Sequence, residues 1–233
     1  MKHLLIAALL AGTCAVALRA SAGDAQMPSL TAAEKADGWT LMFDGKSLSG
    51  WRGYKKPMPP EGWMAVNGEL VRQGPGGDLM TVAAYGDFEM RFEWKVTEKG
   101  NSGIIYRVAE TEPQPWHTGP EYQVLHNQGH RDGQNPITSA GSNYAVNPPI
   151  KDVTKPVGEW NQGRLLARGN HVEHWLNGVK VVEYEIGSAD WEARVKASKF
   201  GKIPPYGRTR VGHIALQDHG DVVAYRNLKI KAL

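Results

Sequence analysis

Alternating hydrophobic and polar residues run through most of the chain and predict short β-strands. In the longest run, residues 88–96, every second residue from Phe88 to Val96 is hydrophobic and the residues between them are charged. Such a strand has one buried face and one solvated face. Two Asn-Gly pairs, at 67–68 and 177–178, separate strand-like segments and predict tight hairpins. Residues 189–199 are the one segment that favours a helix, with Ser188 as its N-cap.

Roughly a dozen such strand segments, with turn residues every 8–12 positions, are typical of an all-β sandwich or barrel. Residues 127–155 interrupt this pattern with a long stretch rich in Gly, Pro, Asn and Ser. Long loops in compact domains are usually functional or disordered. Because this loop carries Tyr144, Val146 and other hydrophobic anchors, we predict a folded flap.

The two ends of the chain differ in character. Residues 1–22 have a basic start, an apolar run and an Ala20-Ser21-Ala22 cleavage site, which predicts a signal peptide and a periplasmic or secreted protein. A lipoprotein attached through Cys14 is the less favoured alternative. The apolar run is short for a membrane span. Residues 23–37 are polar and small and predict a tether, and residues 38–233 predict a single β-sandwich domain.

Composition excludes several functional classes. Removing Lys2 and Arg19 with the signal leaves 25 Lys and Arg against 24 Asp and Glu, without a basic stripe, so a nucleic-acid partner is not expected. The single Cys is also lost, so the mature chain has no disulfide, thiol nucleophile or Cys-based zinc site. The E-x-D-x-E and E-x-D-x-x-E patterns of sandwich glycosidases are absent, and two-carboxylate glycosidase chemistry is unsupported.

The strand at 121–125 is the first candidate for a binding face. Glu121 and Gln123 lie on one side of it, about 7 Å apart, where they could hold a polyhydroxylated ligand or simply face solvent. Arg107 is a candidate donor to a developing oxyanion, although a cross-strand ion pair explains it equally well. His219 and Gln217 share a parity near a turn, and His219 is a natural general base.

Other candidates carry stronger structural alternatives. His174 alternates with hydrophobic residues and could be a core histidine, while Trp175 could stack on a sugar or merely pack. His130 and Asp132 could bind a divalent ion such as Ca, Mn, Mg or Zn, although ordinary loop polarity explains them as well. Three further residues are substrate-binding candidates. Glu93 and Lys95 lie on the predicted strand 88–96, and Asn101 lies just after it.

Five motifs in order resemble the 3-keto-disaccharide hydrolase domain family, over about residues 38–233. They are Gly38-Trp39-Thr40-Leu41-Met42-Phe43-Asp44-Gly45 with Gly50-Trp51, Asn101-Ser102-Gly103-Ile104-Ile105-Tyr106-Arg107, Glu121-Tyr122-Gln123-Val124-Leu125, Glu173-His174-Trp175-Leu176-Asn177-Gly178 and Leu216-Gln217-Asp218-His219-Gly220. The chain departs from many relatives at His126, where they have Asp. The resemblance implies a two-sheet antiparallel jelly-roll sandwich of the concanavalin A-like lectin/glucanase type with one short helix.

The resemblance also implies a reaction. A partner glycoside 3-dehydrogenase oxidises C3 of a glycoside, a base removes the acidified C2 proton, and the C1 substituent leaves, with or without later addition of water. We expect His219 or His174 as the base, and Arg107 or a divalent ion at the enolate oxygen. Glu121 with Gln123 would hold sugar hydroxyls or the metal. A non-catalytic, lectin-like carbohydrate-binding module is the main alternative, and a conventional glycosidase is the weakest.

Overall fold

The structure, a computed structural model, describes residues 27–233. The predicted signal peptide and the first residues of the predicted tether lie outside this range. Within it, none of the helices is both long enough and apolar enough to cross a bilayer.

Thirteen strands form the body of the described chain. They are β1 (Thr40–Leu41), β2 (Trp51–Gly53), β3 (Trp63–Val66), β4 (Glu69–Arg72), β5 (Leu79–Thr81), β6 (Phe88–Val96), β7 (Asn101–Val108), β8 (Glu121–Leu125), β9 (Asn161–Arg168), β10 (His171–Leu176), β11 (Val179–Glu185), β12 (His213–Leu216) and β13 (Val223–Ala232). Two α-helices accompany them, α1 (Ala32–Ala36) and α2 (Ala189–Ala197). Short 3-10 helices cover Pro115–His117, Arg131–Gln134, Pro136–Thr138 and Lys199–Lys202.

The strands form two antiparallel sheets. The larger sheet has the order β11-β10-β9-β6-β13-β4-β3, with β1 pairing to β13. The smaller sheet has the order β2-β5-β12-β7-β8. Both Asn-Gly hairpins are present, as β3–β4 and β10–β11, and Asn67 and Asn177 have the positive φ that such turns require. The predicted two-sheet antiparallel sandwich is confirmed, with a second short helix, α1, that the predicted fold class did not include.

The inner faces of the two sheets form one hydrophobic core. In β6 the predicted alternation holds, with Phe88 to Val96 buried at every second position. Phe92 of the larger sheet meets Tyr122 of the smaller one edge to face, with ring centroids 5.2 Å apart. Because these rings fill the space between the sheets, residues of β8 with the opposite parity, Glu121 and Gln123, lie on the outer face of the smaller sheet.

That outer face is covered rather than open to water. All five residues of β8 are buried, and so are all eight of β7. At the edge of this sheet the segment 127–155 pairs with β8 through Gln123 N to Ser142 O at 3.1 Å and Tyr144 N to Glu121 O at 3.1 Å. Val146 of this segment is fully buried in the core. The segment is therefore folded onto the sheet edge.

Candidate active site on the outer face of the smaller sheet

Gly103 lies at the centre of a polar area on the outer face of the smaller sheet. Its neighbour on β8 is Gln123, and on the other side the backbone of Gln217 donates to Gly103 O at 2.9 Å. One strand further, Asp78 precedes β5 and accepts from Asp218 N at 2.7 Å. A single row across four strands therefore carries Asp78, Gln217, Gly103 and Gln123.

The Glu121 carboxyl group leans over Gly103. A Cβ atom built on Gly103 would overlap with Oε1 of Glu121, so only glycine leaves room for the carboxyl group. Glu121 is 4% exposed, and its side chain has no hydrogen-bond partner in the described part of the chain. Burial raises the pKa of Glu121 to about 8, and the nearby charges of Asp78 and Asp132 add to this, while the Lys199 charge opposes it. At neutral pH this carboxyl group therefore keeps its proton.

Two amide side chains beside Glu121 have unused acceptors. Gln123 is 1% exposed, and it donates through Nε2 to Thr138 O at 3.3 Å while its Oε1 has no partner among residues 27–233. Asn101 is 2% exposed and lies next to Gly103 on the same face of β7. Its Oδ1 also has no partner among residues 27–233. Buried polar groups are normally satisfied, so unused acceptors of this kind indicate a place for a polar ligand.

His219 borders this area at the exposed end of the turn after β12. Its side chain is 47% exposed, and its Nδ1 lies 3.8 Å from Asp221 Oδ2. The Asp221 carboxylate in turn accepts from the backbone of Asn101 at 3.1 Å. The His219 ring packs against His130, with centroids 5.9 Å apart. The structure thus brings together five of the residues selected from the sequence: Glu121, Gln123, Asn101, Gln217 and His219.

Sequence reasoning missed three residues of this area. Lys199 lies two residues after the end of α2, and its Nζ lies 4.4 Å from the centroid of the Tyr144 ring. Tyr144 donates through its hydroxyl to Asp132 at 3.1 Å. Burial raises the pKa of Asp78 to about 6, partly offset by the hydrogen bond from Asp218 N. None of these residues follows from strand alternation, because all three lie outside the strands.

His130 and Asp132, the predicted metal ligands, both take part in polar contacts within their loop. His130 Nδ1 accepts the backbone N–H of Asp132 at 3.1 Å, and its Nε2 lies 3.5 Å from Asn101 Nδ2, so both ring nitrogens already have polar neighbours. The Asp132 carboxylate is engaged by Tyr144 and lies 3.5 Å from Arg131. If a hard cation binds this face, the fitting ligands are the oxygens of Glu121, Gln123 and Asn101.

His174 is a core residue and not a catalytic base. It is fully buried, and its Nδ1 donates to Gly141 O at 3.0 Å while Nε2 lies 3.2 Å from the Tyr106 hydroxyl. Burial lowers the pKa of His174 to about 4. The side chain therefore lies between the sheets, on the other side of β8 from Glu121.

Arg107 is also removed from the site, because β7 contains an irregularity there. The pairing of β12 with β7 shifts between His213 and Ala215, and Arg107 has a φ of 54°. Its side chain is 1% exposed and binds Gly86 O at 3.1 Å, Gly169 O at 2.8 Å and Asp87 at 3.2 Å. The guanidinium group thus fastens two loops and does not reach an oxyanion beside Glu121.

Trp175, Glu93 and Lys95 lie on the opposite side of the molecule, on the outer face of the larger sheet. Trp175 and Glu93 line a groove of about 500 Å³ between that sheet and the segment around Met27–Glu34. Glu93 is bound by Arg226 at 2.7 Å, Lys95 binds Glu69 at 3.2 Å, and Trp175 donates to Glu173 at 2.7 Å. The charged groups of this groove already have partners, so we assign the site to the Glu121 face, where buried polar atoms lack them.

One acidic group on the larger sheet has the spacing of metal ligands. In the described part of the chain, only His171, Glu173 and Glu183 among His, Cys, Asp and Glu side chains come close enough together as a set of three. Lys180 Nζ lies 3.2 Å from Glu173 and 2.7 Å from Glu183. The ammonium group of Lys180 thus neutralises part of the negative charge of these two carboxylates.

The two-sheet sandwich with a polar outer face is compatible with a carbohydrate-active protein, and the comparisons with known proteins indicate this class. The sequence model of the 3-keto-alpha-glucoside-1,2-lyase-like domain family matches residues 38–231. The 3-keto-disaccharide hydrolase of Bacteroides thetaiotaomicron is 34% identical over 255 residues, which cover 96% of this chain and 88% of that protein. The chain belongs to this family, and it groups with enzymes that act on sugars.

Solved structures show the same fold. A Parabacteroides distasonis protein, provisionally named a glycosyl hydrolase, has a TM-score of 0.83 and 37% identity, covering 89% of this chain and 100% of that one. The carbohydrate binding module CBM66 from Bacillus subtilis has a TM-score of 0.50 and 11% identity, covering 78% of this chain and 96% of that one. The second likeness concerns the fold alone.

Proposed function

We propose that this protein cleaves 3-keto-glycosides, 3-keto-disaccharides or 3-keto-glucosides, by removing the C2 proton and eliminating the substituent at C1. The observation that carries the proposal is the buried, unpartnered Glu121 carboxyl group over Gly103, beside the unused acceptor oxygens of Gln123 and Asn101. The name of the relative from Bacteroides thetaiotaomicron supports the same substrate class.

In the proposed reaction, the side chains of this face act as base, acid and substrate-binding groups. His219, exposed at the edge of the site, takes the C2 proton, which the neighbouring ketone has made acidic. Glu121 keeps its proton at neutral pH and gives it to the oxygen that leaves C1. The oxygens of Gln123 and Asn101 accept hydrogen bonds from sugar hydroxyls and so fix the ring. Addition of water across the resulting double bond would complete a hydrolysis.

The test is release of an aglycone from a 3-keto-glucoside by the purified protein, with the unoxidised glucoside as control substrate. We expect Glu121→Gln to lower kcat by about 10²–10⁴-fold, the usual contribution of a positioned acid. Glu61→Gln changes an exposed loop carboxylate and should act like the wild type. Full turnover by His219→Ala would remove His219 from the scheme. No release from the keto-sugar, together with binding of plain sugars, would favour a lectin-like module.

Two further expectations belong to this proposal. The first 22 residues support export, and the mass of the protein recovered from the periplasm or medium should correspond to a start at Gly23. The reaction needs an enzyme that oxidises the glycoside at C3, so a glycoside 3-dehydrogenase is the expected pathway partner. A divalent ion remains a candidate cofactor, and adding a chelator to the release assay tests it.

A further inference from the structure

The proposed reaction needs a positive group at C3, and the residue selected for it from the sequence does not reach the site. When the C2 proton leaves, negative charge develops on the ketone oxygen, and a fixed donor or cation there lowers the barrier. Arg107 is held elsewhere by Gly86, Gly169 and Asp87. The inference below rests on the proposed function and supplies this missing group.

The backbone at Lys199 is held in place by the residues before and after it. It opens the 3-10 helix Lys199–Lys202, and the Ser198 hydroxyl caps that turn by accepting from Phe200 N at 3.1 Å. Phe200 is buried and stacks on Tyr206, with ring centroids 4.0 Å apart and planes 6° apart. The position of the Lys199 Cα is therefore set by core packing.

The Lys199 ammonium group lies over aromatic rings and not against a carboxylate. Its Nζ is 4.4 Å from the Tyr144 ring centroid and 5.0 Å from that of Trp116. No acidic oxygen of residues 27–233 lies within ion-pair distance of Nζ, whereas Lys95, Lys180 and Lys231 each have such a partner. Aromatic faces attract an ammonium group without neutralising it. Its charge thus remains available to a ligand.

Lys199 belongs to the Glu121 side of the site. The ring beneath it, Tyr144, is part of the segment that pairs with β8, and Tyr144 N donates to Glu121 O at 3.1 Å. The charges also interact. Lys199 lowers the pKa of Glu121. Desolvation by the surrounding groups lowers the pKa of Lys199, although the residue is exposed on one side, and the charges of Glu121 and Asp132 partly offset this lowering. A sugar bound beside Glu121 would meet this ammonium group.

We propose that the Lys199 ammonium group binds the C3 oxygen of the keto-sugar and stabilises the enolate. The base takes the C2 proton, the C2–H electron pair forms the C2=C3 bond, and the carbonyl π pair moves onto the C3 oxygen beside Nζ. That pair then returns to reform C3=O, the C2=C3 pair forms C1=C2, and the C1–O pair leaves with the departing oxygen. The departing oxygen takes the Glu121 proton. Lys199 stays protonated throughout and forms no covalent bond.

The experiment compares Lys199→Met with Lys199→Arg, which keeps the charge, and with Lys202→Met, which alters a second exposed lysine three residues on. Release of a 3-keto-glucoside aglycone and C2 hydrogen exchange of 3-keto-glucose in D₂O, corrected for the uncatalysed rate, are followed for each. We expect Lys199→Met to lose about 10²–10³-fold in kcat and in exchange, as for removal of one oxyanion donor. Lys199→Arg should recover at least a tenth of the wild-type kcat, and Lys202→Met should stay within about twofold of it, as a solvated charge far from the reacting atoms should.

Three results would overturn the proposal. If Lys199→Met had wild-type activity, the role of Lys199 would be overturned and the proposed function would stay intact. Trapping of a Lys199 adduct by borohydride in the presence of the keto-sugar would also overturn the proposal, because it would show covalent catalysis. Loss of activity with a chelator and its return with Mg²⁺ or Ca²⁺ would assign the enolate to a metal ion. A wild-type protein that neither releases the aglycone nor exchanges C2 would refute the proposed function as well.

Discussion

The carboxyl group of Glu121 occupies the space that a side chain on Gly103 would need. We therefore expect Gly103→Ala to push the carboxyl group out of place, with a loss of about 1–3 kcal/mol from overpacking. Activity toward a 3-keto-glucoside should fall at least tenfold among folded molecules, as small misplacements of catalytic groups do. Urea unfolding and turnover measure the two effects. Gly86→Ala is the control, since its nearest neighbour is the exposed side chain of Val211.

Glu121 should make stability depend on pH in a defined direction. Its folded pKa of about 8 lies above the usual value for glutamate, so its favourable contribution is complete below about pH 4.5 and is lost as pH rises to 8. The neutral variant Glu121→Gln should therefore gain stability over the wild type between pH 5 and 9, by roughly 2–4 kcal/mol. Denaturant unfolding at several pH values measures this gain. A constant difference across that range would mean that the carboxyl group is ionised or paired throughout.

Arg107→Ala should damage the fold and leave the chemistry intact. Removing the guanidinium group deprives the Gly86 and Gly169 carbonyls of their donor and should cost about 1–3 kcal/mol. Because Arg107 lies away from Glu121, kcat per folded molecule should change less than threefold. Turnover measured well below the new melting temperature separates the two quantities. A large fall in kcat at full folding would restore the oxyanion role to Arg107.

His174 should weaken the fold in acid. Its folded pKa of about 4 lies below the usual histidine value, so its contribution is complete above about pH 6.5 and is lost as pH falls toward 4. We expect His174→Gln to lose stability at pH 7 but to show a shallower decline between pH 6.5 and 4, the difference amounting to roughly 2–3 kcal/mol. Unfolding of His213→Gln, a change at a half-buried histidine, gives the comparison.

Alternation was sufficient to predict much of the fold and part of the candidate site. It assigned the buried face of β6, and it correctly put Glu121 and Gln123 together on the opposite side of β8 from Tyr122. Such a pattern depends only on neighbours along one strand. It holds wherever the strand is regular.

The site predictions that did not hold, and the residue that was missed, depend on features that alternation along one strand does not report. The irregular pairing at Arg107 breaks the parity that would have placed it on the same face of β7 as Gly103. Trp175 and Glu93 have outward parity, as Glu121 does, but they belong to the other sheet and so point to the opposite side of the molecule. Lys199 is positioned by a capped turn after α2, and nothing in its local sequence distinguishes it from its neighbours.

The short helix α1 also determines on which side of the molecule the N-terminal end of the described chain lies. Glu34 pairs with Lys229, and Asp37 binds Lys231 at 2.6 Å, so α1 lies against the outward residues of β13 in the larger sheet. Residues 27–31, which precede it, therefore lie on the side opposite to Glu121, beside the groove of the larger sheet. A fused protein or an affinity surface joined directly at residue 27 would therefore lie beside the larger sheet and leave the Glu121 face open to solution.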